Sequence, residues 1–333
     1  MKKNYRYWRK SNMKGWKEID ITEIEGFRIG NAEYPEAGTG CTVILADRAA
    51  RTGLDIRGGA PASREAALLD PLADNEAVNA VLLSGGSAFG LEASIGVVRY
   101  LEERGIGFPT GSGVVPIVCE SCLFDLAVGD ASVRPDKELG YQACMNAGNF
   151  KQGNYGAGTG ASCGKFAGPE HIMKSGLGAF ALQAGDLKVG ALIAANPFGA
   201  VIDWKTGTVA AGPHSGKPVS EAAELIMDDI VEIGVNPFQK NTAIAVVLTN
   251  ADLSKAHLCK VAAMAHDGYA RSICPAHTMY DGDSIHAMTT GTVPADVTAV
   301  GILAAYAMSE AILNAARNAE SAYGLRGAKD ISG

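Results

Sequence analysis

The chain has 333 residues, of which 47% are hydrophobic and 20% are charged, and its 41 glycines lie in separate clusters without a fixed period. This composition is typical of a soluble globular protein and excludes collagen-like and intrinsically disordered chains. The sequence has no uninterrupted run of 18 or more apolar residues, and the N-terminal segment lacks the apolar core of a signal peptide. We therefore expect a cytoplasmic protein with no membrane partner.

The formal net charge of −7 is unevenly distributed. Residues 1–17 hold seven basic and no acidic side chains, which leaves 22 of the 29 basic and all 36 acidic side chains, a net charge of −14, in the remainder. The acidic remainder would repel a polyanion, so we expect no nucleic-acid partner for the basic, aromatic-containing tail. We predict that residues 1–20 form a flexible extension to one domain of residues 21–333.

Short apolar runs alternate with helical patterns along the chain. The predicted elements are strands at 80–83, 192–195 and 242–249, helices at 88–104, 253–272 and 295–319, and two short strands within 279–290. Asp252 is the predicted N-cap of the middle helix, and the two short strands flank Asp281-Gly282. Strands and helices mixed in this way predict an α/β layered domain.

Cysteine and histidine usage bears on metal chemistry. Seven cysteines, an odd number, fit a reducing compartment better than a disulfide framework. Cys119 and Cys122 form a C-x-x-C pair, but the pair lies in an apolar run and no second pair follows it, so we interpret both as buried thiols. The six histidines are scattered without an H-E-x-x-H, and we predict no metal and no cofactor.

The junction between Asn241 and Thr242 is where a polar, Pro-containing loop meets an apolar, β-branched strand. If the peptide bond between them were cut, Thr242 would carry its hydroxyl beside a free α-amine. The pKa of such an amine, about 7.7–8.0, lets it accept a proton near neutral pH. One residue would then supply both nucleophile and base. Taken alone, the dipeptide is better explained as an ordinary strand start.

Other segments occur in a fixed order around this junction, and together they are specific. They are Gly38-Thr39-Gly40-Cys41-Thr42-Val43, Ser84-Gly85-Gly86-Ser87-Ala88-Phe89, Gly158-Thr159-Gly160-Ala161-Ser162-Cys163-Gly164-Lys165, Asn241-Thr242-Ala243-Ile244 and His277-Thr278-Met279-Tyr280-Asp281-Gly282-Asp283. With these segments the chain, from about Ile21 to its last long helix, resembles the self-processing amidases and aminopeptidases. That family includes L-aminopeptidase/D-Ala-esterase, the β-peptidyl aminopeptidases and the endo-type 6-aminohexanoate-oligomer hydrolase.

The resemblance implies a four-layer α-β-β-α sandwich of the N-terminal-nucleophile-hydrolase type. It also implies one catalytic domain that cuts itself into an α chain of residues 1–241 and a β chain of residues 242–333. The two chains would remain one folded unit. A homo-oligomer of cleaved units, with a tetramer favoured, is the expected assembly.

The resemblance also implies roles for four side chains near Thr242. Asp281 and Asp283 would hold and tune the amine of Thr242, although Asp281-Gly282 also fits a two-residue hairpin turn. Lys165 would lower the proton affinity of the nucleophile, although its glycine-rich setting also fits a surface lysine or, less well, a phosphate loop. Asn196 would donate to the oxyanion, although Asn-Pro is also ordinary turn chemistry.

Ser87, Phe89 and Phe124 are the predicted substrate-pocket residues. Ser87 is also the main rival nucleophile, but the G-x-S-x-G pattern needs glycine at position 89, where this chain has Phe89. Phe124 stands where some family members have an active-site tyrosine. The combination of Thr242, Lys165 and the paired aspartates is similar to the nylon-oligomer hydrolase branch.

The function implied is hydrolysis of a linear amide, such as a 6-aminohexanoate oligomer or a short peptide, through an acyl-enzyme on Thr242. Three alternatives stay open. One is an aminopeptidase or β-peptidyl aminopeptidase of the same family. The second is an acyltransferase similar to ornithine acetyltransferase. The third is a non-enzymatic protein that binds a small anion through its glycine-rich loops.

Overall fold

The computed structural model describes residues 15–219, 227–228 and 241–330. The basic tail up to residue 14 and the Pro-containing loop before Asn241 lie outside the described residues. The α-helices that lie wholly within these ranges are α1 (Ala93–Glu102), α2 (Lys137–Met145), α3 (Lys255–Ser272) and α4 (Val297–Arg317). The strands are β1 (Trp16–Ile19), β2 (Phe27–Tyr34), β3 (Thr39–Ile56), β4 (Ala62–Arg64), β5 (Ala77–Ser84), β6 (Phe108–Thr110), β7 (Gly113–Val115), β8 (Val118–Cys122), β9 (Ser162–Cys163), β10 (Met173–Lys174), β11 (Leu177–Ala184), β12 (Leu187–Ala194), β13 (Ala200–Asp203), β14 (Thr208–Ala211), β15 (Ile244–Ala251), β16 (Ile273–Cys274), β17 (Ser284–Val293) and β18 (Arg326–Gly327).

Ten strands form one hydrogen-bonded sheet, nine of them along one path, and the long strand β3 belongs to both of its layers. The order is β1-β11-β12-β15-β17-β3-β5-β8-β4, with β2 also paired to β3. The first part of β3 pairs with β2 and β5, and the pairing with β5 has a register shift between Leu45 and Ala50. The last part of β3 pairs with β17. Because β3 belongs to both strand layers, it connects them directly.

Three apolar clusters show the layering. Side chains such as Ile44, Val81, Leu192 and Val246 fill the space between the two strand layers. The second cluster lies between β11, β12, β15 and β17 and the helices α3 and α4, and the third lies between β2, β3 and β5 and the helices α1 and α2. The predicted four-layer α-β-β-α sandwich is confirmed.

The strand β15 begins two residues after Thr242 and is buried along its whole length. Its neighbours are β12, which runs antiparallel, and β17, which runs parallel. In the register of these strands Ile244 is opposite both Ala194 and Ser284. The end of β12 and the starts of β15 and β17 therefore meet at one edge of the sheet, and this edge carries Asn196, Thr242 and Asp283.

Several predicted elements differ from the structure. The N-cap of α3 is Ser254, whose hydroxyl accepts from the His257 N–H, rather than Asp252. The predicted helix from residue 88 begins as a 3₁₀ segment, Ser87–Glu92, before α1. The predicted strand pair around Asp281-Gly282 is wrong, because residues 279–283 form a turn and irregular backbone and a single strand, β17, begins at Ser284. Trp16–Ile19, predicted to belong to the flexible extension, form β1 and pair with β11.

Two further features concern burial. Cys119 and Cys122 are buried thiols, as predicted, and burial raises the pKa of Cys119 to about 12. The helix α4 is long and apolar enough to cross a membrane, with a mean hydropathy of 1.4 over its most apolar stretch. In this fold 72% of that stretch is buried, so α4 is placed as a helix of the protein core.

Candidate active site

Backbone hydrogen bonds hold Asn241 and Thr242 between the end of β12 and the loop that precedes β17. Its backbone N–H donates to the carbonyl oxygen of Asn196 at 2.9 Å, and the N–H of Asn241 donates to the carbonyl oxygen of Tyr280 at 3.0 Å. Both Asn241 and Thr242 are buried. The Asn241-Thr242 peptide is thus held on one side by the end of β12 and on the other by the loop that precedes β17.

The Thr242 hydroxyl is in contact with two backbone groups. It donates to the carbonyl oxygen of Asn241, and it accepts from the N–H of Gly282 at 2.9 Å. A Cβ at position 282 would lie 2.8 Å from the Thr242 Oγ and 2.7 Å from the Ala60 carbonyl oxygen, so only glycine fits there. In the sequence Gly282 has the pattern of a turn residue, and nothing there indicates this contact.

Lys165 is buried, which makes the surface-lysine interpretation wrong. Its Nζ donates to the carbonyl oxygens of Ser162 at 2.7 Å and of Asn196 and Pro197 at 3.2 Å, and to the Asn196 Oδ1 at 2.8 Å. Burial lowers the pKa of Lys165 to about 7, against the opposing influence of Cys163, Asp281, Asp125 and Asp283. Because Lys165 begins a 3₁₀ turn, Lys165–Ala167, and no α-helix, the phosphate-loop interpretation is also wrong.

Asn196 connects Lys165 to Thr242. Its side-chain Oδ1 accepts from Lys165 and from the Ser162 N–H at 3.0 Å, while its backbone oxygen accepts from Thr242. Its Nδ2 donates to the Phe124 carbonyl oxygen at 2.8 Å. An amide NH₂ has two protons. The bond to Phe124 uses one of them and leaves the other for the predicted oxyanion role.

Asp281 is buried beside the aromatic residue that follows Asn196-Pro197. Its Oδ1 accepts from the Phe198 N–H at 3.2 Å, and its Oδ2 accepts from the N–H and the hydroxyl of Thr278 at 3.0 and 2.5 Å. Burial, and next the charge of Asp283, raise the pKa of Asp281 to about 6. This carboxyl therefore titrates close to neutral pH.

Asp283 holds the residue that follows Thr242. Its Oδ1 accepts from the Ala243 N–H at 2.8 Å, and its Oδ2 accepts from the backbone N–H of His277 at 3.1 Å and is 2.9 Å from the His277 Nδ1. The carboxylates of Asp281 and Asp283 thus flank the Gly282 N–H that reaches Thr242. The hairpin-turn alternative is wrong, because the three residues lead directly into β17 between β15 and β3.

A cavity of about 140 Å³ opens beside Lys165. Its lining is mostly apolar and comprises Phe124, Asp125, Ala127, Val128, Gly129, Ser162, Lys165, Ile172, Tyr323 and Leu325. Of the predicted pocket residues the structure places Phe124 here but not Ser87 or Phe89. The Phe89 side chain is 58% exposed, and its ring packs under the Arg134 guanidinium at 4.0 Å.

Two further buried charged residues were not predicted as site residues. Asp125 lines the cavity, accepts from the Gly86 N–H and the Thr39 hydroxyl, both at 2.7 Å, and burial raises its pKa to about 6. Lys174 donates to the carbonyl oxygens of Gly158 and Ala161 at 3.0 Å and of Ser175, and burial lowers its pKa to about 7. Asp125 follows Phe124, whose position the family resemblance singles out, whereas Lys174 stands in no recognisable motif. Among the described residues no group of three or more His, Cys, Asp or Glu side chains is arranged to hold a metal ion.

The sequence and the fold were compared with those of known proteins. The sequence model of Peptidase family S58 matches residues 20–330. An uncharacterized aminopeptidase of Mycobacterium tuberculosis (strain ATCC 25618 / H37Rv) is 37% identical, with 93% of this chain and 97% of the relative covered. The 6-aminohexanoate-oligomer endohydrolase of Agromyces sp. (strain KY5R) is 33% identical, with 89% of this chain and 85% of the relative covered.

Among solved structures, the L-aminopeptidase D-Ala-esterase/amidase of Ochrobactrum anthropi is similar in fold. It superposes with a TM-score of 0.67 at 20% identity, with 90% of this chain and 86% of that chain covered. That protein is described as a prototype of the serine aminopeptidases and as a new variant of the Ntn hydrolase fold. At this identity the likeness concerns the fold, and it agrees with the four layers seen here.

Proposed function

Since this chain belongs to peptidase family S58 and is a hydrolase acting on amide bonds, we propose that it cuts itself between Asn241 and Thr242 and then uses Thr242 as its nucleophile. The observation that carries the proposal is the Thr242 hydroxyl, which contacts the Asn241 carbonyl oxygen and accepts from the Gly282 N–H. A hydroxyl beside a carbonyl and under a backbone donor is arranged for acyl transfer.

In self-cleavage the Thr242 oxygen attacks the Asn241 carbonyl carbon. The C–N bond breaks, the hydroxyl proton goes to the departing nitrogen of Thr242, and an ester joins the two residues. Water then hydrolyses the ester, which leaves a carboxylate on Asn241 and restores the Thr242 hydroxyl beside a free α-amine. The Gly282 N–H stabilises negative charge on the Thr242 oxygen, which attacks in the first step and leaves in the second.

In turnover the α-amine of Thr242 takes the hydroxyl proton as the oxygen attacks a substrate amide. The substrate amine leaves with a proton, and water hydrolyses the acyl-enzyme. Asn196 donates to the oxyanion, and Lys165, bonded to both oxygens of Asn196, orients that amide. Asp281 and Asp283 fix the loop that carries Gly282 and set the charge around the amine.

The substrate we propose is a linear amide, either an ω-amino-acid oligomer such as a 6-aminohexanoate chain or a short peptide. The cavity beside Lys165 is small and mostly apolar, which suits an unbranched acyl chain. Two relatives support the same class by their names, one as an aminopeptidase and one as a 6-aminohexanoate-oligomer endohydrolase.

Denaturing electrophoresis of the purified protein tests self-cleavage. From the 34.5 kDa chain we expect fragments of roughly 25 and 10 kDa, in proportion to their lengths, the smaller beginning Thr242-Ala243-Ile244. Thr242→Ala should stay whole and inactive. Thr298→Ala, at an exposed position in α4, is the matched control and should cut itself as the wild type does. A wild-type chain that hydrolyses amides while uncut would disprove the mechanism.

A further inference from the structure

His277 reaches Asp283 with two donors. Its backbone N–H and its Nδ1 both meet the same oxygen, Oδ2, at 3.1 and 2.9 Å. The residue adopts a φ of 57°, a left-handed conformation that is uncommon for residues other than glycine. This backbone conformation brings both donors to one carboxylate oxygen. The other oxygen of Asp283 remains directed at the Ala243 N–H.

The imidazole of His277 is packed by two aromatic side chains of α3. It stacks on the Tyr269 ring, with centroids 5.5 Å apart and planes 20° apart, and meets the His266 ring edge to face at 4.7 Å. Tyr269 is fully buried, and its hydroxyl donates to the Ala243 carbonyl oxygen at 3.1 Å. Both backbone groups of Ala243, the residue after Thr242, are thus bonded to members of one packed cluster.

The hydrogen bonds of His277 and His266 indicate which ring nitrogen of each donates. A carboxylate oxygen accepts, so the His277 Nδ1 beside the Asp283 Oδ2 carries a proton. His266 has its Nε2 3.2 Å from the backbone oxygen of Asp55 and 3.3 Å from the Asp55 carboxylate, so its Nδ1 is the bare nitrogen. Among the described residues neither the His277 Nε2 nor the His266 Nδ1 has a hydrogen-bond partner.

We propose that His277 is a positioning residue for the Thr242 nucleophile. It holds the Asp283 carboxylate, Asp283 holds the Ala243 N–H, and the start of β15 with Thr242 is thereby kept in register with the Gly282 N–H. Among the described residues the hydrogen bonds of the Thr242 hydroxyl are to Asn241 and Gly282, so His277 acts on Thr242 through Asp283. The inference rests on the proposed function and assigns a role to a histidine that no predicted mechanism uses.

Three variants test the chain of contacts. His277→Ala removes the side-chain donor, and we expect kcat to fall on the order of 10²-fold with KM little changed, since a displaced nucleophile slows chemistry more than binding. His277→Asn retains an N–H donor near the position of Nδ1 and should recover most of that loss. His257→Ala, at an exposed position on the same helix as His266, is the control and should keep wild-type kcat.

Nuclear magnetic resonance of protein with ¹⁵N-labelled histidine gives a readout independent of activity. We expect one imidazole with a protonated Nδ1, whose Nδ1–H resonance shifts or disappears in Asp283→Asn. A bare Nδ1 on His277 would overturn the proposal, and so would a folded His277→Ala with kcat within about twofold of the wild type. If the wild-type chain stays uncut, the proposed function fails, while the imidazole spectrum still decides whether His277 holds Asp283.

Discussion

The backbone N–H of Gly282 donates to the hydroxyl of Thr242 at 2.9 Å, across 40 residues of sequence. A backbone donor is fixed by the chain on both sides, so it needs no reorganisation when charge develops on the oxygen. The carboxylates of Asp281 and Asp283 are each bonded to at least two donors, and they hold the loop on either side of this N–H. The paired aspartates are thus connected to Thr242 through the glycine between them.

A methyl group at position 282 should uncouple this contact. In Gly282→Ala the new Cβ would meet the Thr242 Oγ and the Ala60 carbonyl oxygen, so the loop has to move away. We expect self-cleavage and amide hydrolysis both to slow by at least about 10²-fold, in line with the loss of one oxyanion-type donor. Gly111→Ala is the matched control, because a Cβ there meets nothing within 4 Å, and it should behave as the wild type. Equal rates in the two variants would contradict the role of Gly282.

Replacing the charged side chains of the site should lower kcat while leaving the protein folded. In cleaved protein, Asp281→Asn, Asp283→Asn and Lys165→Met should each lower kcat by on the order of 10²-fold, since these groups orient and tune the nucleophile. Circular dichroism should show that each variant is folded. The exposed positions Asp74→Asn and Lys137→Met serve as controls of the same chemistry and should keep full activity. Near wild-type kcat in all three site variants would show that these residues only stabilise the fold.

The sequence predicts the strands and helices that carry this site better than it predicts how they come together in the fold. The strand β15 and the end of α3 are visible as an apolar run and as a stop before Cys274-Pro275. The approach of Asn196 to Thr242 depends instead on how β12 pairs with β15, and nothing local to either residue encodes that pairing.

The sequence left two alternatives open for the same physical reason, the hairpin turn at Asp281-Gly282 and the surface position of Lys165. Asp281-Gly282 has the turn chemistry of a hairpin, and only the partners of β17 show that it is a loop between layers. The residues around Lys165 in the sequence do not show whether its side chain lies in solvent or in the core. Its burial becomes evident only from the carbonyl oxygens that surround its Nζ, which come from three residues on two separate segments. Tertiary contacts decided both cases.

A buried histidine should make the stability depend on pH. His286 in β17 is fully buried, and burial lowers its pKa to about 4 from the ordinary 6.5. Below pH 6.5 the unfolded chain binds a proton at this residue and the folded protein does not, so stability falls as the pH falls from 6.5 to 4 and levels off below. The slope is about 1.4 kcal/mol per pH unit and the full loss about 3 kcal/mol.

Urea denaturation at pH 7.5 and pH 5 measures this effect. His286→Leu removes the titrating group and should reduce the difference in unfolding free energy between the two pH values. The part due to His266, whose pKa burial also lowers, should remain. His257→Ala, at an exposed position, should leave the difference unchanged. An unchanged difference in His286→Leu would show that the folded protein binds a proton at His286 as readily as the unfolded chain does.

The substrate should be a linear amide, and a panel of amides with and without an added amine acceptor tests this. A threonine hydroxyl with an amine base and an amide oxyanion donor suits acyl chemistry at a carbonyl. The small apolar cavity beside Lys165 favours an unbranched acyl chain. We therefore expect release of amine from 6-aminohexanoate oligomers to be fastest, with short peptides bearing a small or β-amino acid at the N-terminus second. Thr242→Ala should release none. Hydrolysis confined to N-terminal aminoacyl amides would identify an aminopeptidase, and acyl transfer to the added amine without hydrolysis would identify an acyltransferase.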